Sequence, residues 1–269
     1  MMPLVRSELR KVLTTNTWWL MLLGVVGFTA IASAFSLFFV NEALKDPELG
    51  ASLGIGSDGA GLASYTYTSG QFFGTLFVML LGALMVTNEF QHQTATPTFL
   101  ATPRRVRVIG SKLITAVGLG AAFGLVQMLI SVPVGAVFLS MKAVDTHLGD
   151  PTVLAALALN LLAYAVWTVF GVGIGTLLRN QIAAIVVCVV LKVVAEQILS
   201  LVLMLLSRVA GDWVMDLAWA LPSQASTVMT SATRLPDAPP WYVGAAILLA
   251  YGLVTAGVGA AITRRRDIT

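Results

Sequence analysis

WWLMLLGVVGFTAIASAFSLFFV, residues 18–40, decides the fold. No residue from Trp18 to Val40 is charged. A helix needs about 20 apolar residues, at about 1.5 Å rise each, to cross a hydrocarbon core of about 30 Å, and this run meets that length. The rest of the chain agrees. Of its 269 residues 57% are hydrophobic and 11% are charged, against about 25% charged in a soluble domain. Most of the chain therefore cannot face water. The net charge of +3 is too small and too scattered for a nucleic-acid surface. The single cysteine, Cys188, lies in an apolar run, which excludes an intrachain disulfide and a cysteine metal cluster. Arg10 and Lys11 before the run, and Ala32-Ser33-Ala34 within it, resemble a cleavable leader. The run continues past them to Val40 and five further spans follow, so the first span is expected to be retained.

Outward from this stretch, six spans are expected at 17–40, 70–88, 108–140, 152–178, 181–206 and 241–262. The chain reads as one all-α integral membrane domain over residues 1–269, and Pro133 is expected to kink or break the long third span. Gly171, Gly173 and Gly175 alternate near the end of the fourth span. A dinucleotide fingerprint would need a strand before it and a helix start after it, so close helix approach is the expected role. With the N-terminus in the cytoplasm, eleven Lys and Arg fall inside, among them Arg6, Arg10, Lys11, Arg104, Arg105, Arg107 and Lys112. Four fall outside: Lys45, Lys142, Arg208 and Arg234. The positive-inside rule then places both termini in the cytoplasm. Leu4 to Leu13 reads as an interfacial helix, with Leu4, Val5, Leu9, Val12 and Leu13 on one half and Arg6, Ser7, Arg10 and Lys11 on the other. Glu8 falls on the apolar half. The segment 41–69, with Gly50, Gly54, Gly56, Gly59 and Gly61, reads as a flexible outer loop. The segment 207–240 reads as containing a short amphipathic or re-entrant helix.

Chemistry-bearing motifs are few. The histidines are His92 and His147, both in expected loops, so an intramembrane His relay or zinc site has no basis in sequence. No nucleophile elbow, zinc-protease motif or P-loop lysine motif is present. Two places stand out. One is the polar segment between the second and third spans, with Glu89-Phe90, Thr94, Pro103, Arg105 and Lys112. The other is Lys192 and Glu196 in the fifth span. Lys192 lies roughly 15 Å deep by helical rise, and Glu196, four residues on, shares its face. Such charges face protein or water. They read either as a buried ion pair that packs helices or as a polar element of a pathway. Gln127, Asn160 and Gln197 are candidate partners, more in keeping with helix–helix hydrogen bonds than with ligand binding.

The spacing of Glu89, Phe90, Thr94, Pro103, Arg105 and Lys112 resembles the permeases of type-2 ABC transporters. Gln93 stands where those proteins commonly have Gly. Gly171 to Asn180 resembles the Gly-rich end of the family's fourth span and its Arg-Asn turn, and Leu221-Pro222-Ser223 resembles the segment before its last span. The resemblance implies that residues 89–105 form a cytoplasmic coupling helix docking on a separate P-loop ATPase. It implies a second permease chain, two ATPase subunits, and ATP and Mg held by those subunits rather than by this chain. It also implies a bacterial inner membrane, and export of a hydrophobic or amphipathic drug, lipid or peptide. The alternatives are an ATP-independent carrier or channel, which often shows inverted repeats, and a membrane enzyme acting on lipid, which needs a catalytic cluster at a span end.

Overall fold

The computed structural model describes residues 1–53, 55, 58–92, 105–178, 180–211, 213–230 and 239–265. Their regular elements are all helical. In chain order these are α1 (Met2–Leu13), α2 (Thr17–Ala43), α3 (Pro47–Ser52), α4 (Gly59–Tyr67), α5 (Gln71–Gln91) and α6 (Arg105–Met141). Then follow α7 (Pro151–Leu177), α8 (Gln181–Ala210), α9 (Trp213–Asp216), α10 (Pro222–Thr230) and α11 (Trp241–Arg265). Six stretches are long and apolar enough to cross a membrane: Thr17–Ala43, Gly59–Gln91, Arg107–Met141, Pro151–Leu177, Gln181–Ala210 and Trp241–Gly259.

Local chemistry starts several of these helices. Asp150 accepts a hydrogen bond from the Thr152 amide at 2.8 Å, and Pro151 occupies the first helical position of α7. Asn180 caps α8 by accepting from the Ala183 amide at 3.0 Å. Asp58 caps α4 by accepting from the Gly61 amide at 3.2 Å. The break between α4 and α5 is made at Gly70, whose φ of 86° is the left-handed conformation that glycine adopts freely.

α5 and α7 form the centre of the bundle, with α2, α6, α8 and α11 around them. Glycine lets the central pair touch. A Cβ on Gly171 would meet the Met79 carbonyl of α5, and one on Gly82 of α5 would meet the Thr168 carbonyl of α7. Gly173 is closed in the same way by Thr255 of α11. The alternating glycines thus serve close approach on two sides of α7.

Two expectations change. Residues 41–69 are not simply a loop: α3 and α4 occupy much of them, while Gly54 and Gly56 lie outside the described residues. Leu62, Ala63 and Tyr67 of α4, with Ile55, bury against Val40, Leu139 and Val153, and this apolar contact orders the segment despite its glycines. Pro133 does not break the third span, because α6 continues through it to Met141. The carbonyl that loses its helical donor there belongs to Leu129, on an exposed face of α6.

Candidate functional site

At the end of the bundle where α1 lies, four charged side chains close a ring. Glu8 meets Lys112 at 2.5 Å and Lys11 at 2.7 Å, and Glu89 meets Lys112 at 2.8 Å and Lys11 at 2.7 Å. Lys112 also donates to the Met85 carbonyl at 3.4 Å. Glu8, Glu89 and Lys112 are buried. A buried charge is tolerated only when paired and hydrogen-bonded, and here each charge faces two of the opposite sign. Burial alone would depress the pKa of Lys11. Its hydrogen bonds to Glu8 and Glu89 and the charge of both carboxylates outweigh that, and hold it above the ordinary lysine value. The ring also explains the misplaced Glu8 of the helical wheel. The inner face of α1 holds Val12 and Glu8 together, because Lys112 of α6 is there to receive the carboxylate.

The ring joins α1, the foot of α5 and the start of α6, so it fixes both ends of the segment that links α5 to α6. Glu89 is therefore engaged within its own chain, and Phe90 packs half-buried against the main core. The resemblance implies a docking role for both; within this chain the Glu89 carboxylate is held by Lys11 and Lys112. Thr94 and Pro103 lie outside the described residues. Arg105 is the first residue of α6. A cavity of about 220 Å³ opens between α1 and α5 beside the ring, with Asn88 and His92 on its polar wall and Leu81 and Leu84 on its apolar one.

The second charged place lies in the middle of α8. Lys192 and Glu196 are both buried, at 1% and 5% exposure. They do not form the direct ion pair that their spacing allows. The Lys192 ammonium sits 3.3 Å from the ring centre of Trp167 and 5.1 Å from that of Phe72, with the Ser223 hydroxyl 3.4 Å away. A desolvated cation over an indole face is attracted by about 2 kcal/mol. The Glu196 carboxylate accepts the Ser223 amide at 2.8 Å, while its other oxygen, Oε1, is buried without a hydrogen-bond partner. Lys192 lies within Val190–Ala195, which is wound as a π-helix that ends at Glu196 and changes the offset of the two side chains.

Ser223 is the second residue of α10, so Glu196 occupies the place of a helix cap. The carboxylate satisfies a first-turn amide and meets the positive end of the helix. α10 is re-entrant. It begins beside the middle of α8. Farther along, Ser226 accepts from the Trp167 indole at 3.3 Å, and Thr230 bonds Gln71 at 3.4 Å, at the start of α5. Sequence reasoning singled out Lys192, Glu196 and Leu221-Pro222-Ser223 separately, and it missed Trp167 and Phe72. Their only signal was being aromatic within spans, which most such residues share.

Gln127 and Asn160 form a packing node. Asn160 donates to Gln127 at 2.7 Å, and Gln127 donates to the Ser69 carbonyl at 2.7 Å in the turn between α4 and α5. Gln197 is exposed on α8. Among the described residues no group of three or more His, Cys, Asp or Glu is placed to hold a metal ion.

Residues 4–195 match the family model described as ABC-2 family transporter protein. The match runs from α1 to the end of the π-helical turn. A comparison with curated protein sequences yields no match.

Proposed function

Because the chain belongs to the ABC-2 family of transporter proteins, we propose that it is the membrane-spanning permease subunit of an ATP-driven exporter. In this reading two permease chains pair and two P-loop ATPase subunits dock below them, carrying the ATP and Mg. Both termini lie in the cytoplasm of a bacterial cell, and the cargo is hydrophobic or amphipathic. The observation that carries it is the family match over residues 4–195, which takes in α1, the segment between α5 and α6, and the centre of α8.

The charged ring supports a transmission role. The segment between α5 and α6 is the natural docking element, and its two ends are bound through Glu89 and Lys112 to α1. Movement imposed on it by a partner passes into α5, the most buried span, rather than being lost in a slack loop. Glu89 then positions the coupling segment, while Thr94 and its neighbours up to Arg105 meet the ATPase. Such a two-state element is biased by whatever ligand binds one state better.

The test is co-expression with a P-loop ATPase subunit, sought first in the reading frames beside this one. The expected result is a detergent-stable complex, with ATP-dependent uptake of a dye into inverted vesicles. Replacing residues 93–104 by a Gly/Ser linker should abolish co-purification while leaving the permease folded. Dye movement that needs no ATP, by a permease that purifies alone, would favour a carrier or channel instead.

A further inference from the structure

We infer that Glu196 is a latch on the re-entrant helix α10, released when Lys192 leaves Trp167 to pair with it. Three observations meet at this point. The Glu196 carboxylate holds the first turn of α10 through a hydrogen bond from the Ser223 amide. Its other oxygen is buried and unsatisfied. Among the described residues the ammonium beside it, Lys192, is spent on two aromatic faces and one long contact to the Ser223 hydroxyl. A buried anion with a vacant acceptor beside a buried cation without a carboxylate is an arrangement with an evident second state.

The π-helical turn at Val190–Ala195 supplies the route. A π-turn holds one residue more than the α-turn it replaces, and such turns recur at functional places in helices. Lys192 and Glu196, four residues apart, stay neighbours in either winding, and rewinding the turn as α-helix would rotate Lys192 off the Trp167 ring, free to pair with Glu196. The direct pair would satisfy Oε1 and draw the carboxylate from Ser223. The first turn of α10 would lose its cap, and with it the contact that holds this helix against the middle of α8. α10 packs on α11 through Gly244, where a Cβ would meet the Ala225 carbonyl, and on Trp167 through Ser226. Releasing its inner end lets it pivot on those contacts, so the latch sets whether this end of the bundle is closed. Glu196 is thus a positioning residue, and Lys192 is the group that releases it. The inference concerns the chain's own opening and holds whether or not a separate ATPase drives it.

The test uses the full chain in lipid nanodiscs, with Cys188→Ala and with Leu221→Cys as a buried reporter beside the first turn of α10. What is measured is its rate of reaction with a water-soluble methanethiosulfonate. Two double variants remove both buried charges and so avoid an unpaired charge. Lys192→Met with Glu196→Gln keeps an acceptor for the Ser223 amide and should stay protected. Lys192→Met with Glu196→Leu removes that acceptor and should react roughly tenfold faster, the scale of one lost hydrogen bond of this kind. Equal protection in both doubles would mean that the pair only fills space, and would overturn the latch. Glu196→Gln alone, which no longer attracts Lys192, should react several times more slowly than the parent. A rate equal to the parent's would overturn the part assigned to Lys192.

Discussion

Lys112 and Lys11 contact the same two carboxylates but should not be equally important. The Lys112 side chain is 5% exposed and that of Lys11 is 37% exposed. Removing Lys112 takes from Glu8 and Glu89 the buried cation they share, and breaking a buried pair in this way costs about 3–5 kcal/mol. Lys112→Met should therefore lower the thermal midpoint in detergent by many degrees and loosen α1 to protease, whereas Lys11→Met should shift it by a few degrees or less. Equal effects would mean that the ring is open to solvent. The pH dependence has a definite sign. The pKa of Lys11 is raised on folding, so its contribution is complete below the unfolded value of 10.5 and is lost only as pH rises through the higher folded value. The difference in thermal midpoint between parent and Lys11→Met should stay constant from neutral pH upward and shrink only in alkali beyond 10.5.

At the scale of elements, glycine positions divide sharply. Gly171 has the Met79 carbonyl where its Cβ would be, whereas Gly257 in α11 has open space. Gly171→Ala should lose about 1–3 kcal/mol by overpacking the α5–α7 contact. Gly257→Ala should gain about 0.5–1 kcal/mol by helix propensity alone. A melting curve for each variant checks this, and a harmless Gly171→Ala would mean that the two helices are farther apart than the structure has them. Hydropathy made the all-α fold and its six candidate spans legible. It could not reveal α3 and α4, because the glycines of 41–69 speak for a loop while the burial of Leu62 and Tyr67 is a tertiary effect. Nor could it show that Lys192 lies on Trp167. Spacing along α8 predicts a partner four residues away, and only packing brings Trp167 of α7 closer. Glu8 was the opposite case. It stood out as an error in an amphipathic pattern, and that error marked a buried charge with a partner on another helix.

For the molecule as a whole, the arrangement of charge predicts how it sits in the bilayer. The four-charge ring, Arg6 and Arg10 of α1 and the start of α6 all lie at one end, while Lys45, Lys142 and Asp150 lie at the other. Moving basic segments across a membrane is disfavoured, so the end with α1 should face the cytoplasm. Exposed residues at each end allow a direct test in a Cys188→Ala background. Lys45→Cys, just beyond α2, should react with an impermeant maleimide in intact cells. Thr14→Cys, exposed just beyond α1, should react only after lysis. Both substitutions sit outside the spans and make no core contact, so neither should disturb insertion. The opposite pattern would invert the molecule. The ring and the segment it anchors would then lie outside the cell, away from ATP, and the proposed docking of an ATPase on that segment would fail together with the orientation. The latch between α8 and α10 would survive, because it depends on contacts within the chain and not on which side of the membrane they face.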